Sequence, residues 1–273
     1  MKVIICQNEE QIAREAYKIV QDRVMNRNAK VLGLATGSSP LGLYRELIEG
    51  FKRGEIDFSD VHTFNLDEYV GLPETHPQSY HRFMYENLFN YINLKKANIS
   101  FPDGMTMDME DECMRYEESI EDLGGVKLQV IGIGRDGHIG FNEPGSSLTS
   151  RTHVITLAQT TINDNARFFG GDASAVPHWA VTMGIGTILD AREIIMLANG
   201  ENKADAIKGM LEGPITTMNA ASALQLHNQV TVIMDESAAS KLSNREYYDR
   251  TATSDDEAMY DYLRKARKTA GLD

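Results

Sequence analysis

Apolar residues along this chain follow two alternating rhythms. Short apolar runs at Lys2 to Cys6, Val31 to Ala35, Val61 to Asn65, Val126 to Gly132, Glu193 to Ala198 and Gln229 to Met234 have the length and continuity of buried strands. Between them lie stretches with helical spacing. Ile12, Ala16, Ile19 and Val20 mark a helix over Glu9 to Met25, and further helices are expected at about Pro40 to Gly50, Ser79 to Tyr91, Cys113 to Leu123 and Asn202 to Leu211. For the second of these, Ser39 stands as the N-cap and Pro40 at the first helical position. Strands alternating with helices predict right-handed crossovers and an α/β fold, with a mostly parallel sheet covered by helices on both faces. No Gly/Ser linker, low-complexity block or repeat interrupts residues 1–273, so a single domain is expected. Ligands of such folds gather at the carboxyl ends of the strands.

Charge narrows the partners. The chain carries 27 basic and 40 acidic side chains, a formal net charge of −13. That balance argues against a general binder of nucleic acid or anionic membrane, whose contacts need basic surface. An anionic ligand therefore requires a local positive site. The two cysteines, Cys6 and Cys113, support neither a disulfide framework nor a cysteine zinc site. No stretch approaches the roughly 20 apolar residues of a membrane-spanning helix. The N-terminal MKVIICQNEEQ turns acidic before the apolar region of a signal peptide can form. A soluble, cytoplasmic protein is expected.

Three segments carry candidate chemistry. In Thr36-Gly37-Ser38-Ser39-Pro40 a strand ends in small residues and a helix begins, which would bring backbone N–H groups and the positive helix end together as a phosphate cradle. It lacks the lysine of a Walker A loop and the spacing of a dinucleotide fingerprint, and an ordinary capped turn reads the same way. In Thr63-Phe64-Asn65-Leu66-Asp67-Glu68-Tyr69 an apolar strand runs into adjacent carboxylates, one of which, partly desolvated, could take a proton from carbon. In Gly132-Ile133-Gly134-Arg135-Asp136-Gly137-His138-Ile139-Gly140-Phe141-Asn142-Glu143-Pro144, glycines leave Asp136, His138 and Glu143 as the acids and bases beside one arginine. A histidine flanked by carboxylates suits proton transfer at a sugar oxygen. Asp-x-His could also supply two metal ligands, but no second histidine lies near in sequence, which favours acid–base work. Arg167 and Lys203 are each able to clamp a phosphate, the first as a bidentate fork and the second as a point charge.

Taken together, LATGSSP at 34–40, TFNLDEYVGL at 63–72, HPQSY at 76–80, GIGRDGHIGFNEPGSSLTSRT at 132–152, ARFF at 166–169 and LQLH at 224–227 resemble, in order and over nearly the whole chain, the glucosamine-6-phosphate deaminase family. The resemblance implies a Rossmann-like, sugar-phosphate isomerase-like α/β domain that converts glucosamine 6-phosphate to fructose 6-phosphate and ammonia without organic cofactor or catalytic metal. By motif, Asp67 would be the base that takes the C2 proton and His138 the residue that opens the sugar ring. Asp136 and Glu143 would set the charge and orientation of His138, and Thr36, Gly37, Ser38, Arg167 and Lys203 would hold the phosphate. A lid is expected around 149–171. The resemblance also implies a homo-oligomer, hexamers being known in the family. Some of those are activated by N-acetylglucosamine 6-phosphate through basic residues at positions where this chain has His153 and Ile155. A related hydrolase of the 6-phosphogluconolactonase type and a non-catalytic sugar-phosphate sensor are the competing readings. The sensor should carry an added helix-turn-helix, whereas the first strand here starts at residue 2.

Overall fold

A computed structural model describes residues 1–253 and 256–272. Along the first half the elements are β1 (Lys2–Cys6), α1 (Glu9–Asn26), β2 (Val31–Leu34), α2 (Leu41–Lys52), β3 (His62–Asn65), β4 (Asp67–Tyr69), α3 (Tyr80–Asn87), β5 (Ile99–Ser100), α4 (Met109–Asp122) and β6 (Leu128–Gly132). The second half runs β7 (His153–Thr156), α5 (Gln159–Asn165), β8 (Trp179–Thr182), α6 (Ile185–Leu189), β9 (Ile194–Ala198), α7 (Ala204–Glu212), β10 (Val230–Asp235), α8 (Arg245–Thr253) and α9 (Asp256–Thr269).

Seven strands form one parallel sheet in the order β1-β10-β9-β6-β2-β3-β5. This is the mostly parallel, helix-flanked sheet expected from the apolar runs. The continuity of those runs has a direct cause: successive side chains of a strand feed opposite faces. Ile194, Met196 and Ala198 of β9 enter a core with α4, α6 and α7. Ile195 and Leu197 of the same strand enter the core made with α1, α2 and α3. From β2 the chain adds β3 and β5 on one side, then returns to add β6, β9 and β10 on the other. The reversal leaves a crevice between the carboxyl ends of β2 and β6, where ligands of such sheets bind.

The pattern of apolar runs did not reveal a second, antiparallel sheet, β4-β8-β7, with its own small core of Tyr69, Phe141, Leu157, Ile162, Ala166, Val176 and Ala180. Its strands are three or four residues long, and β7 alternates half-buried and exposed residues, so no long apolar run marks it. Ser39 does not cap α2. The Leu41 N–H donates to the Ser38 carbonyl at 3.3 Å, which draws Ser39 into a turn, and Pro40 takes the cap position in helical conformation with no side-chain cap. The helix expected at Asn202 to Leu211 begins later, after a 3₁₀ turn over Glu201–Lys203. Among the described residues no helix is long and apolar enough to cross a membrane.

Candidate active site

A pocket of about 230 Å³ occupies the crevice. It is lined from β2 by the Thr36–Ser39 turn, from β6 by Gly132–Arg135 and His138, from β4 by Asp67, and from the later chain by Arg167, Asn202 and Lys203. Asp67, His138 and the Thr36–Ser39 turn, from three distant segments, thus share one cavity, while Asp136 is not part of its lining. Glu143 is buried just behind it.

The first wall is built by β2 and β3. The Asn65 amide donates to the Leu34 carbonyl at 3.2 Å, and the Tyr116 hydroxyl donates to the Asn65 carbonyl at 2.7 Å, which fixes the two strand ends. Gly37 adopts φ +88°, a left-handed conformation that favours glycine. The small-residue turn Thr36–Ser39 brings its backbone to the pocket and leads into α2, which starts without a side-chain cap.

Asp67 does not sit in a loop following β3; it opens β4 of the small sheet and pairs with Thr182 of β8. That pairing buries the carboxylate to 6% exposure at the pocket wall. Burial pushes its carboxyl from 3.8 up to about 8, and the neighbouring Glu68 charge adds to the rise. Glu68 is also buried, yet it accepts N–H bonds from Tyr69 at 2.8 Å, Tyr80 at 3.0 Å and His81 at 2.9 Å. Burial raises its carboxyl and these three bonds only partly offset that. Glu68 thereby fixes the start of α3, where Ser79 is the N-cap, and aims Tyr80 into the pocket. The Tyr80 ring stacks on Phe141 with centroids 5.7 Å apart and planes 6° from parallel.

The third wall is the glycine-rich loop after β6. Asp136 accepts the His138 N–H at 3.1 Å, and the Gly134 N–H donates to the His138 carbonyl at 2.8 Å, folding the loop tightly around the imidazole. A Cβ on Gly134 would lie 2.4 Å from the His138 ring, so a larger residue there would displace the imidazole. His138 Nδ1 is 2.7 Å from Asp136 Oδ1 and 3.9 Å from Glu143 Oε2. Burial alone would raise the Asp136 carboxyl; the contact with His138 and its charge overcome this and bring it down to about 2. Glu143 is tethered through Oε1, which accepts the Ala158 N–H at 3.0 Å. Ligand atoms of Asp136, His138 and Glu143 lie within 4.8 Å of one another, a spacing a metal ion would also accept. Asn142 pins the loop to the small sheet by donating to the Ile139 and Met183 carbonyls at 2.9 and 2.8 Å.

The remaining wall comes from residues within 149–171. Thr161, Asp164, Asn165, Arg167 and Phe168 line the pocket there, and the Arg167 guanidinium lies over the Phe168 ring, 4.6 Å from its centroid. Lys203 faces it from the N-terminal end of α7. Burial lowers the Lys203 ammonium from its ordinary value, and the nearby Arg167 charge lowers it further. Tyr80, Phe141, Glu68, Arg135 and Asp164 were not among the residues given roles from the sequence. In the sequence Glu68 is marked only as the neighbour of Asp67, and the aromatic pair carries no spacing signal.

A family model described as glucosamine-6-phosphate isomerases/6-phosphogluconolactonase matches residues 7–233. The chain belongs to this family. A glucosamine-6-phosphate deaminase of Thermoanaerobacter sp. (strain X514) is 54% identical over 246 residues, covering 90% of this chain and 97% of the relative. Glucosamine-6-phosphate deaminase 2 of Bacillus subtilis (strain 168) is 50% identical over 248 residues, covering 90% of this chain and all of the relative (100%). Among solved structures of the glucosamine-6-phosphate isomerase/6-phosphogluconolactonase family, a monomeric glucosamine-6-phosphate deaminase superposes with a TM-score of 0.85 at 46% identity, covering 88% of this chain and 99% of that one. The 6-phosphogluconolactonase of Trypanosoma cruzi shares the fold, with a TM-score of 0.71 at 22% identity over 89% of this chain and 97% of that one.

Proposed function

We propose that this chain catalyses the isomerising deamination of glucosamine 6-phosphate, taking up water and yielding fructose 6-phosphate and ammonia. One observation carries the reading: a buried carboxylate, Asp67, and a carboxylate-paired imidazole, His138, open into the same small pocket, which also presents Arg167, Lys203 and the Thr36–Ser39 turn. Two acid–base stations and one anion anchor are what the reaction needs.

The closed sugar hides its aldehyde, so ring opening comes first. His138, held against Asp136, moves the proton between the anomeric hydroxyl and the ring oxygen. The open form has a carbonyl at C1 and an ammonium at C2, and both acidify the C2 proton. Asp67 takes that proton. Burial pushes the Asp67 carboxyl up to about 8, toward its neutral form, and the substrate ammonium supplies the positive neighbour that favours the carboxylate. Substrate binding therefore switches on the base that attacks it. The enolamine gains a proton at C1, the resulting C2 iminium adds water, and ammonia leaves. Phosphate held by Thr36, Gly37, Ser38, Arg167 and Lys203 keeps C1 and C2 against the two stations throughout.

The 149–171 segment supplies one wall, and Glu143 is joined to it through Ala158, so we assign it the covering of the phosphate end. Amide exchange in 149–171 should slow when inorganic phosphate is added; unchanged exchange removes the lid role. The homo-oligomer remains a proposal that light scattering decides. The activity itself is tested by incubating the protein with glucosamine 6-phosphate: ammonia and fructose 6-phosphate should appear in equal amounts, and the absence of both overturns the reading.

A further inference from the structure

The pocket is lined by a third cation besides Arg167 and Lys203. Arg135, on the loop after β6, reaches across the mouth to Asp164 on α5, Nη1 to Oδ1 3.4 Å. Both side chains are well exposed, 61% and 46%. An exposed pair of this kind contributes little to the fold, so stability does not account for its position. Its surroundings do. Asp164 lies three residues before Arg167, and Arg135, Asp164 and Arg167 all act electrostatically on Lys203. The four groups share one field, in which Asp164 is the carboxylate that meets Arg135 across the mouth. The contact engages one of the guanidinium's five N–H donors, which leaves the fork available for a bidentate oxyanion.

We infer that Arg135 is a phosphate-binding residue of the site and that Asp164 is an internal competitor which the substrate phosphate displaces. A dianion outcompetes a single carboxylate for the guanidinium, and Asp164 then stands as a repelling neighbour that weakens binding of every anion. The inference rests on the sugar-phosphate reading and assigns the pair its task within it. Two roles are distinguishable by sign. If the pair is a structural bridge, breaking it from either side loosens the pocket in the same direction. If Asp164 competes with phosphate, the two sides act oppositely.

The test measures the inhibition constant of inorganic phosphate against glucosamine 6-phosphate in the wild type and in Arg135→Gln, Arg135→Lys, Asp164→Asn and the Gln/Asn double variant, at low and high salt. Arg135→Gln should raise both that constant and KM about tenfold, the loss of one charge-assisted contact, with the larger change in KM than in kcat. Arg135→Lys should recover part of the loss. Asp164→Asn should lower the phosphate constant about threefold, most strongly at low salt, and the double variant should lose most of that gain. Parallel weakening in Arg135→Gln and Asp164→Asn, or an unchanged constant in Arg135→Gln, overturns the inference while wild-type ammonia release keeps the functional reading intact. A wild type that neither releases ammonia nor binds inorganic phosphate by calorimetry overturns both.

Discussion

Replacing Asp67 by Asn should abolish turnover and at the same time make the protein more stable, by an amount that depends on pH. In the unfolded chain the carboxyl ionises near 3.8, whereas burial in the fold holds it near 8. Below about pH 4 both states carry the proton and Asp67 has no effect on folding. From about 4 to 8 the unfolded chain releases a proton that the folded chain keeps, so wild-type stability falls as pH rises, and above about 8 the full cost is present. The span of about four pH units at about 1.4 kcal/mol each sets an upper limit near 6 kcal/mol. Asp67 is 6% exposed to a solvent-filled pocket, and we expect roughly 2–3 kcal/mol to survive that access. Asn has the same shape and no proton to lose, and pocket solvent can reach its amide. At about 2–4 °C per kcal/mol, Asp67→Asn should melt about 4–12 °C above wild type at pH 8 and together with it near pH 4. Scanning calorimetry at both values reads this, alongside ammonia release, which should drop by at least about 10²-fold. Equal melting at pH 8, a gain of the same size at both values, or retained turnover would each refute the account of Asp67 as a strained, desolvated base.

Three further outcomes are expected. Glu68→Gln removes the negative neighbour that helps raise Asp67, so the acid limb of kcat/KM should move to lower pH; a limb that stays in place would mean that Glu68 serves only to hold α3. Gly134→Ala places a methyl group 2.4 Å from the His138 ring and should lower kcat about tenfold or more while the melting temperature changes little, and an unaffected kcat would show that the imidazole position is not critical. Dialysis against a chelator should leave ammonia release unchanged; loss that is restored by a divalent cation would assign Asp136, His138 and Glu143 to metal binding instead.

Much of this protein is legible along the chain because its sheet is buried on both faces. A strand such as β9 is apolar at every position because its alternate side chains serve two cores, and that leaves a run visible without any partner. The small-residue turn after β2 and the glycine-rich loop after β6 are equally visible, since tight turns at strand ends demand particular residue types. The β4-β8-β7 sheet left no such trace, because strands of three or four residues pairing antiparallel take their stability from partners distant in sequence. With that sheet went the environment of Asp67: its residue type is written at position 67, but its desolvation comes from Thr182 of β8 and the fold around them. The meeting of Asp67 with His138, and of Arg135 with Asp164, was likewise decided only in three dimensions. Proton affinity and charge balance depend on distance and dielectric, and a linear sequence specifies neither until the chain has closed on itself.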